Sequence, residues 1–335
     1  MATITLNRSN YYHNLSQFAL KTGSKDKIAI VLKDNAYGHG ILEMAKLSSE
    51  FGLKRAVVRK VSEAKLIDTL FEDIIILGGE VEPNPKYSYA INSLEQLKAL
   101  PQDAKIELKI DTGMHRNGIT MGELDATLEI IKQKEINLSG IMSHYASADE
   151  LGSEYFYQLQ NFRAAKAKTL EAGFKNVRFH IDNSAGAIRC SAFEFDLVRL
   201  GIGAYGYNHM DDSFDDFALK PVLNLYAKRV ATRALEKGQR VGYGGEFVAP
   251  KDMLVSTYDV GYGDGWRRGN ALNPFITADS GAILGRVSMD FISLEGDKEE
   301  VCVMEGAMSA ARHFQTIAYE ITCALHADIP RKIVD

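Results

Sequence analysis

The segment Ile28 to Gly40, IAIVLKDNAYGHG, runs an unbroken apolar stretch into Lys33 and then into a polar, glycine-bearing loop. A lysine delivered to a strand end by such a stretch is a candidate imine former, because desolvation disfavours the ammonium and frees the amine as a nucleophile. A surface lysine that closes an ordinary strand fits the same segment. The choice between the two depends on what the rest of the chain brings to the same place.

Lys33 is not alone in closing a short β-rich run. The runs are IAIVLK from Ile28, RAVVR from Arg55, IIIL from Ile74, YSYAI from Tyr87, IELKI from Ile106, LSGIMSH from Leu138, VRFHI from Val177 and FDLVRLG from Phe195. Lys33, Lys109, His144, Ser184 and Arg199 all lie at or near their carboxyl ends. Segments with helical periodicity, LDATLEIIKQ from Leu124 and the stretch from Tyr157 to Ala172, separate the runs, so each unit reads as strand then helix. Eight such units predict an α/β fold with an N-terminal (β/α)8 TIM barrel, whose catalytic groups gather at the carboxyl ends of the strands.

The acidic stretch NHMDDSFDDFALKP, from Asn208 to Pro221, interrupts this pattern. It places the barrel at residues 8–215 and a C-terminal, mainly β domain at 216–335, with strand 1–7 (ATITLN) added to the latter. VLNLYAKRVATRAL, MLVSTYDVGYG, AILGRVSMDFISL and EVCVME are its β-rich segments, with glycines marking turns. Near the end, Ser309 is placed to cap a helix presenting Ala311, Phe314, Ala318, Ile321 and Leu325 on one face.

Bulk composition narrows the function classes. The 335 residues are 46% hydrophobic and 25% charged, ordinary for a globular protein. A net charge of -5 with no long basic run argues against a nucleic-acid partner. No apolar stretch approaches the roughly 20 residues a membrane span requires, so a cytoplasmic location is expected. Cys190, Cys302 and Cys323 share no CxxC spacing and read as reduced thiols, with no metal site.

Seven separated blocks then carry a resemblance over nearly the whole chain: VLKDNAYGHG, LKIDTGMHRNGI, SHYASADE, DNSAG, VRLGIGAYGY, VGYGG with VGYGDGWRR, and GRVSMD. In this order they resemble the signature segments of bacterial alanine racemases, isomerases that depend on pyridoxal 5′-phosphate (PLP). The resemblance implies that Lys33 holds PLP as a Schiff base and serves as the base on one face of the substrate carbon. It assigns the cofactor phosphate to Tyr37, Ser184 and the backbone amides around Gly201 and Ile202. A glycine-bearing turn into a helix after a late barrel strand suits an anion. Read alone, Ser184 is better explained as a helix cap.

Arg199 matches the arginine paired with the pyridine nitrogen. An arginine stays charged, so it opposes protonation of that nitrogen, weakens the ring as an electron sink and limits transamination. Taken singly, it equally suits a solvent-facing salt bridge. His144 matches a residue in the hydrogen-bond chain behind the arginine, and in isolation reads as a structural histidine. Tyr243 matches the second base, supplied by a partner subunit on the opposite face, since inverting a stereocentre takes proton removal on one face and delivery on the other. A phenol, with a pKa of about 10, is a poor base at neutral pH unless cations depress it. Alone, Tyr243 reads as a packed strand tyrosine. Its place outside the domain of Lys33 implies a head-to-tail homodimer with composite sites.

The resemblance further implies that Arg116 supports the phenol and the substrate carboxylate. Lys109 matches a lysine that is carbamylated in many members. Met289 and Asp290 match a loop whose methionine N–H receives the substrate carboxylate, and Tyr262 lies where the family narrows its entrance. Three departures stand out: His115 and Asn117 flank the arginine where small and apolar residues are usual, Ala327 stands where many members carry a tyrosine reaching the phosphate, and Asp34 replaces a common alanine. The implied activity is interconversion of L- and D-alanine, supplying D-alanine for peptidoglycan. A broader, serine-accepting racemase is the nearest alternative. A basic amino-acid decarboxylase on a similar plan would need an acidic residue where Arg199 stands, and a single-barrel PLP carrier would have no second domain.

Overall fold

The structure is a computed structural model that describes residues 2–101, 103–214 and 217–335. The chain opens with β1 (Thr3–Asn7) and α1 (Arg8–Thr22), whose first turn is capped by the Asn7 side chain. Parallel strands follow: β2 (Ile28–Val31), β3 (Arg55–Val58), β4 (Asp73–Ile76), β5 (Tyr87–Ile91) and β6 (Lys105–Asp111), with the short β7 (Ile119–Thr120) on the flank of β6. β8 (Asn137–Met142), β9 (Arg178–His180) and β10 (Val198–Leu200) complete the set. These coincide with the apolar runs of the sequence. Strands covered on both faces carry continuous β-branched residues, and continuity made them legible.

Their order is β10-β2-β3-β4-β5-β6-β8-β9. At the seam the Asp196 N–H donates to the Phe179 carbonyl at 2.9 Å, and the Arg199 N–H to the Asp182 carbonyl at 3.0 Å, so the barrel is nearly closed. Between the strands lie α2 (Lys33–Tyr37), α3 (Ile41–Phe51), α4 (Val61–Ile67), α5 (Leu94–Lys98), α6 (Leu124–Gln133), α7 (Glu154–Glu171) and α8 (Ser184–Arg189). In α6 the buried residues Leu124, Thr127, Leu128 and Ile131 form one helical stripe against the core. The strand-then-helix rule fails after β4, where Pro83 and Pro85 withhold the donors a helix needs. After β10 only a 3-10 turn follows, Ile202–Tyr205.

The polar loop after Lys33 is a left-handed helical turn. Asp34, Asn35, Ala36 and Tyr37 have φ of 52°, 55°, 53° and 53°. For residues with a Cβ this conformation costs about 1–2 kcal/mol each. Local bonds offset the cost: the Ala36 N–H donates to the Leu32 carbonyl at 2.9 Å, and Asn35 Oδ1 accepts from the Ile41 N–H at 2.9 Å.

The second part of the chain is built on β11 (Leu223–Leu235), followed by the hairpin β12 (Arg240–Val241) and β13 (Phe247–Val248). β14 (Met253–Tyr258), β15 (Ile292–Glu295) and β16 (Glu300–Glu305) precede α9 (Met308–His313), α10 (Ala318–Ala324) and β17 (Arg331–Val334). The sheet runs β15-β14-β11-β1-β17, with β16 also on β11. β1 thus pairs with β11 and β17, burying Ile4 and Leu6. The boundary expected at residues 215 and 216 lies outside the described residues. The single helix expected from Ser309 is instead two helices, α9 starting at Met308 with Ala307 before it, and α10. Gln315 breaks the run with a φ of 54°.

Candidate active site

The carboxyl ends of the barrel strands surround a cavity of about 800 Å³ lined by Lys33, Tyr37, Lys109, Arg116, His144, Ser184, Arg199, Gly201 and Ile202. Lys33 follows β2 by two residues and leads into the left-handed turn. Its side chain remains a third exposed, so the apolar strand positions the amine without burying it. Its Nζ lies 3.7 Å from the Asp34 carboxylate and 5.8 Å from the centre of the Tyr37 ring.

Arg199, on β10, is buried and among the described residues makes no salt bridge, which replaces the solvent-facing reading. Its Nη1 donates to His180 Nδ1 at 2.6 Å and to the His180 carbonyl at 3.1 Å. Its Nη2 donates to the Ser143 and Ile181 carbonyls and to His144 Nδ1, the last at 3.2 Å. A guanidinium has only donors, so both imidazoles present an unprotonated Nδ1 and carry their proton on Nε2. Burial pulls the guanidinium down to about 10, still charged at neutral pH. Burial, then Arg199, Arg116, Lys109 and Lys33, hold His144 well below the usual imidazole range, so it is neutral.

His180 Nε2 donates onward to Glu107 Oε2 at 2.9 Å, and Glu107 Oε1 accepts from Arg178 Nε at 2.6 Å. Burial alone would raise the Glu107 carboxyl, but Arg178 and His180 bring it down to about 2. This buried chain was not foreseen, since Glu107 and His180 are polar residues inside strands recognised by their apolar neighbours.

Lys109, on β6, is buried and donates to Asn117 Oδ1. Burial, Arg116 and Arg199 pull its ammonium down to about 8. Asn117, a departure from the family pattern, is therefore the acceptor for this amine, and Arg116 beside it is exposed to the cavity. Ser184 is not the helix cap. Asn183 caps α8 by accepting from the Gly186 N–H at 2.8 Å. The Ser184 hydroxyl instead accepts from the Gly201 and Gly203 N–H groups at 3.2 and 3.1 Å, which joins α8 to the turn after β10.

Four expected residues are elsewhere. Tyr243 follows β12, is 65% exposed, and lines a separate cleft of about 500 Å³ with Arg233, Arg240 and Arg286. It is a turn residue, not a packed strand tyrosine. Tyr262, Met289 and Asp290 are exposed on neighbouring loops, joined where the Gly263 N–H donates to the Met289 carbonyl at 2.8 Å. Within one chain none of the four lines the Lys33 cavity.

A tyrosine does reach the cavity from the C-terminal part, but not at position 327. Tyr319, on α10, packs edge-on against Tyr37 with ring centres 5.4 Å apart and stacks on His209 at 5.7 Å. Ala327 contributes a carbonyl to Arg331, 2.8 Å away. The reading of a lost tyrosine is thus corrected: Tyr319 lies between Ala318 and Ile321, the apolar positions that drew attention in that segment. Gly38 lets α10 approach, for a Cβ there would lie 1.9 Å from the Thr322 carbonyl. Among the described residues no cluster suits a metal ion, and no helix is long and apolar enough to cross a membrane.

The sequence model of the alanine racemase N-terminal domain matches residues 6–209, and that of the C-terminal domain matches residues 222–333. An alanine racemase of Campylobacter concisus (strain 13826) is 44% identical over 340 residues, with all of both chains covered. The chain belongs to the alanine racemase family. Among solved structures, the alanine racemase of Clostridium difficile 630 matches with a TM-score of 0.89 at 27% identity, over 99% of this chain and 95% of that one. The family fold is not confined to one substrate name. A histidine racemase from Leuconostoc mesenteroides subsp. sake matches with a TM-score of 0.87 at 27% identity, over 100% of this chain and 98% of the other.

Proposed function

We propose that this alanine racemase family member interconverts L- and D-alanine with PLP attached at Lys33, from a cavity completed by a second copy of the chain. The residues present fit the cofactor. An amine, a buried guanidinium bonded by no carboxylate among the described residues, and a serine hydroxyl beside two glycine amides face one cavity. Ser184, Tyr37 and the turn at Gly201 and Ile202 would hold its phosphate. When bound, PLP would supply an electron sink for the bonds at the substrate Cα.

The chain's own groups do the rest. Lys33 Nζ takes or returns a proton on one face. Arg199, anchored by carbonyls and neutral imidazoles, keeps a fixed positive charge at the ring nitrogen position. Arg116, beside the Lys109–Asn117 pair, offers a cation to the substrate carboxylate. Tyr243 supplies the opposite face from the partner, a reading supported by its exposure and its place outside the Lys33 cavity within one chain. Exposed Tyr262, Met289 and Phe291 on the same side give that partner an apolar surface. The product would serve peptidoglycan synthesis.

Arg199 carries the reading: a decarboxylase needs an acid at that position, and among the described residues no carboxylate bonds the guanidinium. The histidine racemase neighbour favours testing a wider substrate range. Purified protein is incubated with L-alanine, L-serine and L-histidine in turn, and the enantiomers are resolved. Alanine should racemise fastest. Release of carbon dioxide without racemisation would overturn the proposal.

A further inference from the structure

Asp34 stands directly after the lysine, and its carboxylate lies between two cations. Oδ2 is 3.7 Å from Lys33 Nζ, and Oδ1 is 3.3 Å from Arg59 Nη1. The backbone around it is tied down. The Asp34 N–H donates to Glu63 Oε1 at 2.8 Å, and Glu63 Oε2 accepts from the Arg59 N–H at 2.8 Å. One buried glutamate thus joins the loop after β2 to the loop after β3, and so holds the aspartate and the arginine together.

Among the described residues the Lys33 cavity is lined by one carboxylate, Asp149, which forms no ion pair with the amine; the remaining groups are neutral or cationic. Tyr37 lies beneath the ammonium with its phenol pushed up by burial. Cys323 approaches from α10, its thiol raised to about 11 by burial and by Asp34. Across the cavity stand neutral His144 and the cations Arg199, Arg116 and Lys109. Among the described residues Asp34 is the one carboxylate in ion-pair contact with Lys33.

We propose that Asp34 is a positioning residue for Lys33: it receives the lysine as an ammonium whenever the amine is not covalently engaged, and Arg59 limits how strongly it does so. The inference rests on Lys33 being the point of cofactor attachment. A carboxylate within about 4–6 Å favours the charged form of an amine, and only the neutral form is a nucleophile. The two neighbours of the amine therefore act with opposite sign. Asp34→Asn removes the anion and should make Lys33 more reactive. Arg59→Gln leaves the whole carboxylate to Lys33 and should make it less reactive. Both side chains are partly exposed, and exposed ion pairs correspond to about a two- to fivefold effect. Asparagine also tolerates the left-handed backbone of position 34, so the first exchange preserves the turn.

The test is acylation by N-hydroxysuccinimidyl acetate of full-length protein freed of cofactor. The rate is read by mass spectrometry on the peptide containing residue 33, against other lysine peptides of the same sample. Faster labelling in Asp34→Asn and slower labelling in Arg59→Gln are expected, each by about two- to fivefold. Unchanged rates in both, or a shift of both in one direction, would overturn the proposal, the latter marking mere loosening of the loop. If one variant does not fold, the sign of the other decides. Borohydride trapping of PLP in the wild type separates the two readings. No cofactor on residue 33 sinks the attachment, whereas trapped cofactor with unchanged labelling sinks only the part given to Asp34.

Discussion

Arg199 Nη1 donates to His180 Nδ1 at 2.6 Å, and this contact sets the direction of a hydrogen-bond chain running from the cavity floor to Glu107. Because the guanidinium cannot accept, the imidazole proton must lie on Nε2, where the Glu107 carboxylate takes it. The orientation of the arginine therefore depends on a carboxylate it does not touch.

Glu107 should make stability acid-sensitive. Its folded value of about 2 lies below the ordinary 4.5, so its stabilising contribution is complete above 4.5 and is lost as pH falls toward 2. The depression corresponds to about 3 kcal/mol at neutral pH. Glu107→Gln should lower the unfolding free energy measured in urea at neutral pH by that order and flatten the decline on the acid side. An acid limb as steep as the wild type's would mean that another carboxylate governs it.

Lys33→Ala should lose roughly a thousandfold or more of racemase activity, since one residue gives both attachment and a base. The same variant should show no borohydride-stable cofactor on the peptide spanning residue 33. Retention of full activity would remove Lys33 from the site.

Two inactive variants should rescue each other. If Lys33 and Tyr243 meet only across a dimer, mixing Lys33→Ala with Tyr243→Phe regenerates one complete site in each mixed pair. Activity that stays absent although native mass spectrometry detects mixed pairs would put both bases in one subunit.

Gly38→Ala probes the seat of α10. The new Cβ would meet the Thr322 carbonyl at 1.9 Å, at a φ of 81° that disfavours any side chain. A loss of at least about 2 kcal/mol in unfolding free energy is expected, together with weaker PLP binding as Tyr319 shifts. A calorimetric transition identical to the wild type's would show that the helix yields without cost.

The barrel strands were legible because burial on both faces writes continuous apolar runs into the sequence. Lys33, Arg199 and His144 stood out for the same reason, as polar residues ending such runs. Handedness was not legible. Asp34 to Tyr37 contain no glycine, yet they wind left, and one of the bonds that hold them comes from Glu63, distant in sequence. Ser184 and Asn183 are both good capping residues, and only the fold shows that the Asn183 amide caps the helix while the Ser184 hydroxyl faces the Gly201 turn. Tyr319 escaped because an amphipathic reading of α10 looks for apolar positions, and its ring serves the cavity from the edge of that stripe.

The pairing of Ile4 with Arg331 and with Leu225 has a temporal meaning. A strand made well before its partners β11 and β17 must wait for them, with Ile4 and Leu6 uncovered meanwhile. The sheet behaves as a buckle fastened last, so a chain cut short before β17 would carry an open edge beside β1, whatever the state of its barrel.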